Sequence, residues 1–310
     1  MRIVAEHLSF TYNARSPFET AALKDVTLTI EEGEFFGIIG HTGSGKSTFI
    51  QHLNGLLRLP CSLKRGKKYK KACEHTVLKV GEFDLSDPKT DFRALRKSVG
   101  MVFQYPEQQL FAETVRDDVA FGLKNFSQEK LTDEQVSSAV REALEAVGLD
   151  YAEIANQSPF ELSGGQKRRV AIAGVIVSRP EILILDEPAA GLDPLGKKEI
   201  MELLHRLHRS WCKTVVIVSH DMDEISENCT RAAVFSEGSV VRVSSPSELF
   251  LHTQELTELG LDVPLTAKLC AALEGYGVRI QCDFTAQDFV KKVLALKDKA
   301  ANDSPNGGKA

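Results

Sequence analysis

The run Gly40-His41-Thr42-Gly43-Ser44-Gly45-Lys46-Ser47 constrains this chain more than any other stretch. Glycines at 40, 43 and 45 permit backbone angles that turn successive amides inward, toward an anion. Phe35 to Ile39 reads as a strand before the loop and Lys46 to about Leu57 as a helix after it. The positive end of that helix adds to the attraction. Lys46 then offers a point charge to the β and γ phosphates of a nucleotide, and the Ser47 hydroxyl suits Mg²⁺. Strand, glycine-rich loop and helix in that order are what the chemistry requires.

The rest of the chain alternates strand and helix periods. Ile3 to Phe10, Val26 to Ile30 and Glu34 to Ile39 are strand-like and bounded by turn residues, with antiparallel pairing the natural expectation. Val77 to Val80 and Ser98 to Phe103 read as strands, 114 to 125 and 132 to 147 as helices, and a third helix should run from Ser163 to about Val177. Buried strands are expected at Ile182 to Leu185 and Thr214 to Val218, a helix at Leu195 to Arg209, and short strands at Arg231 to Phe235 and Ser239 to Val243. Such alternation predicts an α/β fold with a largely parallel sheet covered on both faces. Beyond Pro246 the pattern is helical and irregular, and 301–310 reads as a frayed tail. The longest apolar run, Val170 to Val177, is eight residues, against the roughly 18 that a membrane-crossing helix needs. A secretion signal is likewise not expected, because Met1-Arg2 leads straight into a strand pattern. A net charge of −5 gives no global attraction to nucleic acid. The six cysteines, none in a Cys-x-x-Cys pair, read as reduced thiols.

A second constellation lies far from the first in sequence. The strand Ile182 to Leu185 ends in Asp186-Glu187, which open-sheet logic sets at the carboxyl edge beside the phosphate loop. Asp186 can hold Mg²⁺ through water, and Glu187, pointing elsewhere, can orient an attacking water or accept its proton. Thr214 to Val218 ends in Ser219-His220, which brings an imidazole to the same edge. Leu162-Ser163-Gly164-Gly165-Gln166 precedes the third helix, and a Ser-Gly-Gly helix start is another terminus able to bind an anion.

With Leu162 to Gln166 included, the sequence resembles the ATPase subunits of ABC transporters, whose P-loop fold joins a mostly parallel core to an antiparallel β subdomain and a helical subdomain. The resemblance covers 1 to about 250 and implies a role for each motif. Tyr12 corresponds to the aromatic that stacks on adenine, Gly40 to Ser47 with Thr48 to the ATP cradle, and Gln104 to the glutamine loop. Glu187, His220 and Gln104 are the implied catalytic residues, and Ser47, Gln104 and Asp186 the implied Mg²⁺ holders. Leu162, Ser163, Gly164, Gly165, Gln166 and Asp193 would close on ATP bound to a second ATPase subunit, identical or related. Gln104 to Phe111 is similar to the glutamine-rich segment of energy-coupling-factor transporters, where it touches a transmembrane scaffold. Ser16 to Lys24 and Gly165 to Gly174 resemble the second of the two ATPases in those systems.

That likeness implies a nucleotide-binding domain at 1–250 with a helical subdomain near 104–178, and a small dimerisation domain at 251–300. It also implies a peripheral position on the cytoplasmic face of the cell membrane. The implied work is ATP-driven uptake of a vitamin or transition-metal ion, with a membrane substrate-capture subunit coupled indirectly. An importer served by a solute-binding protein, or an ABC ATPase with no membrane partner, remains an alternative. Leu59 to Glu74 departs from the pattern: Lys64 to Lys71 holds six positive charges in eight residues. A solvated loop accounts for it better than a nucleic-acid surface, since only Tyr69 interrupts the basic cluster.

Overall fold

A computed structural model describes residues 1–14, 16–62, 75–127 and 130–303. The basic run Lys64 to Lys71 and the end of the tail lie outside them. Among the described residues ten strands form two sheets: β1 (Ile3–Tyr12), β2 (Thr20–Ile30), β3 (Phe35–Ile39), β4 (Val77–Val80), β5 (Phe83–Asp84), β6 (Val99–Val102), β7 (Ile182–Asp186), β8 (Thr214–Val218), β9 (Arg231–Ser236) and β10 (Ser239–Ser244). The four-stranded sheet runs β2-β1-β4-β5 and is antiparallel throughout. The six-stranded sheet runs β10-β9-β3-β8-β7-β6, parallel except where β10 folds back on β9.

This corrects one expectation from the sequence. β1 and β2 pair antiparallel, but β3 leaves them and sits in the parallel sheet between β8 and β9. The composition of β3 explains the move: Phe-Phe-Gly-Ile-Ile is buried at every position, so it needs cover on both faces. Phe35 and Ile39 enter the cluster under the helices, and Phe36 and Ile38 enter the cluster shared with the antiparallel sheet. β7 and β8 alternate in the same way, with Leu183, Leu185, Val215 and Ile217 on one side and Ile182, Ile184, Val216 and Val218 on the other. Each such side chain contributes about 1.5–3 kcal/mol by leaving water.

The helix after the phosphate loop spans Lys46–Leu53 and stops short of Leu57. Helices Phe92–Ser98 and Met222–Asn228, absent from the sequence expectation, are capped by Asp91 and Asp221. Val115–Phe126, Asp133–Ala146 and Gly164–Ile176 pack on one another, the last starting one residue after Ser163, which is its N-cap. After β10, Phe250, Leu256, Leu261, Ala267 and Phe284 join the same apolar cluster as the core of the parallel sheet. Helix Ala286–Asp303 leaves Val290, Leu294 and Leu296 exposed.

Candidate functional site

Four parallel strands, β3, β8, β7 and β6, lie side by side and end at one edge. Aligned register carries this through: Ile38 pairs with Val218, Val218 with Asp186, and Leu185 with Val102. The residues that follow, Gly40 onward, Ser219-His220, Asp186-Glu187 and Gln104, therefore meet at the carboxyl end of the sheet.

Gly40 has φ 156°, and a Cβ there would lie 2.4 Å from the Phe235 carbonyl oxygen and 2.5 Å from Ser44 Oγ. Gly45 has φ 102°, and its Cβ would lie 2.7 Å from the Ala22 carbonyl oxygen. The loop thus threads between β9 and β2 where only glycine fits. Lys46 Nζ donates to the carbonyls of Gly40 (2.7 Å) and His41 (2.9 Å). Burial lowers the Lys46 ammonium below the ordinary lysine value, while Asp186 and Glu187 pull it back up. Tyr12 Oη lies 3.2 Å from Thr48 Oγ1, with its ring edge-on to Phe10.

Ser47 Oγ donates to Asp186 Oδ2 at 3.2 Å. Burial raises the Asp186 carboxyl above its usual range, the Ser47 hydrogen bond opposing this. Hydroxyl and carboxylate are the hard oxygen donors Mg²⁺ takes, and their contact makes the pair fit that ion. Among the described residues no cluster of three or more His, Cys, Asp or Glu encloses a metal. An ion held here would therefore keep water and phosphate oxygens, as Mg²⁺ commonly does. Gln104, the third expected holder, donates its amide nitrogen to Glu187 at 3.1 Å, a bond that does not use the amide oxygen a cation would take.

Glu187 breaks from the strand at φ 49°, a left-handed conformation that costs a non-glycine residue about 1 kcal/mol or more. Its N–H donates to the Val218 carbonyl at 2.9 Å, locking the turn to the neighbouring strand. The turn swings the carboxylate away from Asp186. Oε2 accepts from Gln104 Nε2 at 3.1 Å, and Oε1 lies 2.9 Å from His220 Nδ1. The carboxylate requires Nδ1 to carry hydrogen, which leaves Nε2 as the second functional nitrogen of the ring. These groups line a cavity of about 310 Å³. Clefts of about 620 and 760 Å³ draw walls from the C-terminal segment and lack the Gln104, Glu187 and His220 cluster, so volume is a poor guide to the chemistry here. The arrangement can hold a water against a carboxylate beside an anion cradle.

The Ser163 terminus is separate. Ser163 Oγ accepts from the Gln166 N–H (3.3 Å), and Gln166 Oε1 accepts from the Ser163 N–H (3.0 Å), a reciprocal capping box. Leu162 is buried beneath it, and Gly164 and Gly165 are exposed, with nothing within 4 Å of where a Cβ would stand. Asp193 caps Pro194–Ser210 through the Gly196 N–H.

Two residues escaped the sequence reading. Arg168, 3% exposed, reaches from the helix behind Ser163 to Glu107 (3.3 Å) and to the Ala190 carbonyl (2.9 Å). It ties the helix behind Ser163 to the segments that hold Glu107 and Ala190. An arginine on a helix whose next turns bury Val170, Ile172 and Ala173 was its only signal. Lys197 Nζ donates to Asp221 at 2.7 Å, tying the helix that Asp193 caps to the turn that bears His220.

Comparison with known proteins agrees with this geometry. The ABC transporter family model matches residues 23–190. The energy-coupling factor transporter ATP-binding protein EcfA2 of Symbiobacterium thermophilum is 49% identical over 93% of each chain. Its namesake in Caldanaerobacter subterraneus subsp. tengcongensis is 46% identical over 91% of this chain and 93% of that protein. Among solved structures, cbiO1 of Clostridium perfringens, described as part of the cbiONQ ABC transporter complex, superposes with TM-score 0.67 at 34% identity, covering 86% of this chain and 97% of that one. The dimeric cassette MJ0796 with ADP and Pi in a post-hydrolysis state gives TM-score 0.65 at 28% identity, over 79% and 98%. The chain belongs to the ABC transporter ATPase family, among the energy-coupling factor ATP-binding proteins.

Proposed function

From that membership we propose that this chain binds and hydrolyses ATP as one of two ATPase subunits of an energy-coupling-factor importer. The observation that carries the reading is the Glu187 carboxylate, braced between Gln104 and His220 next to the Ser47 and Asp186 pair. Gly40 to Thr48 cradles the phosphates, and Tyr12 flanks the adenine. Ser47 and Asp186, with the Gln104 amide oxygen, would hold Mg²⁺, which would supply charge neutralisation for the phosphates.

Glu187 orients the attacking water and accepts its proton, while His220, 2.9 Å away through Nδ1, keeps the carboxylate aimed. Leu162 to Gln166 and Asp193 serve the nucleotide of the partner ATPase rather than this chain's own. The exposure of Ser163, Gly164, Gly165 and Asp193 supports this, as does the absence, among the described residues, of any hydrogen bond from Leu162–Gln166 to the phosphate loop. Segment 251–300 takes part in subunit pairing, which the exposed Val290 and Leu294 favour.

Among the described residues no helix is long and apolar enough to cross a membrane. Attachment to the cytoplasmic face then runs through a transmembrane scaffold at Gln104 to Phe111. There Phe111 and Phe121 stack edge-on at 4.8 Å while each stays more than half exposed. Substrate capture belongs to a separate membrane subunit.

Replacing Glu187 with Gln in the reconstituted complex tests this reading. ATP should stay bound while turnover drops about 100-fold or more, since a general base is worth roughly that. Unchanged turnover overturns the proposal.

A further inference from the structure

Two thiols outside the nucleotide site meet in the C-terminal segment. Cys270 Sγ, on helix Leu265–Glu274, lies 3.6 Å from Cys282 Sγ, in the stretch leading to helix Ala286–Asp303. Both are half-buried and line the 620 Å³ cleft together with Phe250, Arg279 and Phe284. The cleft opens a path to the sulfurs for a small molecule. One turn from Cys270, the Thr266 hydroxyl donates to the Phe284 carbonyl at 2.6 Å. That bond holds helix and segment at a set distance, so the sulfurs face each other by construction. A disulfide needs about 2.05 Å between sulfurs, and side-chain rotation can supply the remaining 1.5 Å or so.

We propose that Cys270 and Cys282 form a reversible dithiol–disulfide site whose oxidants are low-molecular-weight disulfides. Burial, and secondarily the contact with Cys282, pushes the Cys270 thiol up to about 12, which disfavours Cys270 as the first attacking thiolate. Cys282 loses its proton to solvent, and its thiolate attacks one sulfur of the small disulfide. The S–S bond breaks, a mixed disulfide forms on Cys282 and one small thiolate leaves. Cys270 then gives up its proton to solvent, attacks the Cys282 sulfur and expels the second thiolate. Two protein thiols are oxidised to one disulfide, and one small disulfide is reduced to two thiols. Cys212 and Cys229 cannot compete. Both are buried, burial raises both thiols, and Cys212 also donates to backbone carbonyls. The proposal does not depend on the ATPase reading.

The test is to equilibrate the intact chain with oxidised glutathione, alkylate free thiols in denaturant and map the peptides by mass. Of the six cysteines, two should be lost as one internal cross-link joining residues 270 and 282, and dithiothreitol should restore all six. Cys270→Ser should stop at a glutathione adduct on Cys282. Six free thiols after oxidation, a cross-link elsewhere, or stable glutathione adducts on both residues of the wild-type chain would overturn the assignment. The wild-type map decides the matter even if the variant fails to fold.

Discussion

The two glycine-rich helix starts, Gly40 to Ser47 and Leu162 to Gln166, use the same chemistry under opposite constraints. At the first, added Cβ atoms on Gly40 and Gly45 would strike backbone at 2.4 and 2.7 Å, so the fold itself requires glycine. At the second, Gly164 and Gly165 meet nothing within 4 Å among the described residues. The serine hydroxyl differs as well: Ser47 turns to Asp186 inside the site, whereas Ser163 closes its own capping box. One terminus is complete within the molecule. The other has glycines that no packing contact among the described residues requires.

The hardest test of this contrast is Gly40→Ala. Left-handed strain and a backbone clash should cost about 2–4 kcal/mol of stability, read from denaturant unfolding; a neutral result would remove the packing half of the comparison. Lys46→Ala should weaken ATP binding to the isolated chain about 100-fold, the equivalent of one or two charge-assisted hydrogen bonds. Gly165→Ala in a titration of the isolated chain should leave that affinity unchanged. In the assembled complex Gly165→Ala should instead lower turnover about tenfold, while the Tm of the isolated chain holds or rises, because alanine favours helix over glycine by up to about 1 kcal/mol. Full turnover in that variant would break the comparison.

The smallest effect concerns Asp186. Its carboxyl is raised above the ordinary 3.8 chiefly by burial, so the native state binds the proton more tightly than the unfolded chain does. Stability then falls as pH rises between those two values, and the charged form carries its full cost above them. Asp186→Asn should therefore raise the nucleotide-free Tm at neutral pH, by about 1 kcal/mol or less in free energy. The advantage should shrink as pH drops toward 4, as a pair of melting series would show.

Much of this was readable in the chain because certain motifs sit at strand ends. A strand buried on both faces is a continuous apolar run, and β7 and β8 were bounded within a residue on that signal. The pairing of β3 was not readable, since a short apolar run does not name its neighbours. Helix Phe92–Ser98 was hidden by its seven-residue length, too short for a clear period. Arg168 and Lys197 look like ordinary helix cations until the partners Glu107, Ala190 and Asp221 are seen beside them.

The chain alone determined which groups are present and in what order: an anion-binding loop, two adjacent carboxylates after a strand, a histidine after another, and a serine-led helix start. These are local matters, set by side-chain chemistry and by whether a backbone can bend as required. Tertiary structure alone decided that Glu187 turns left-handed to stand between Gln104 and His220, 83 and 33 residues away. It also decided that the second glycine pair faces open space. Both depend on the lateral order of parallel strands, which long-range packing sets and no stretch of neighbouring residues encodes.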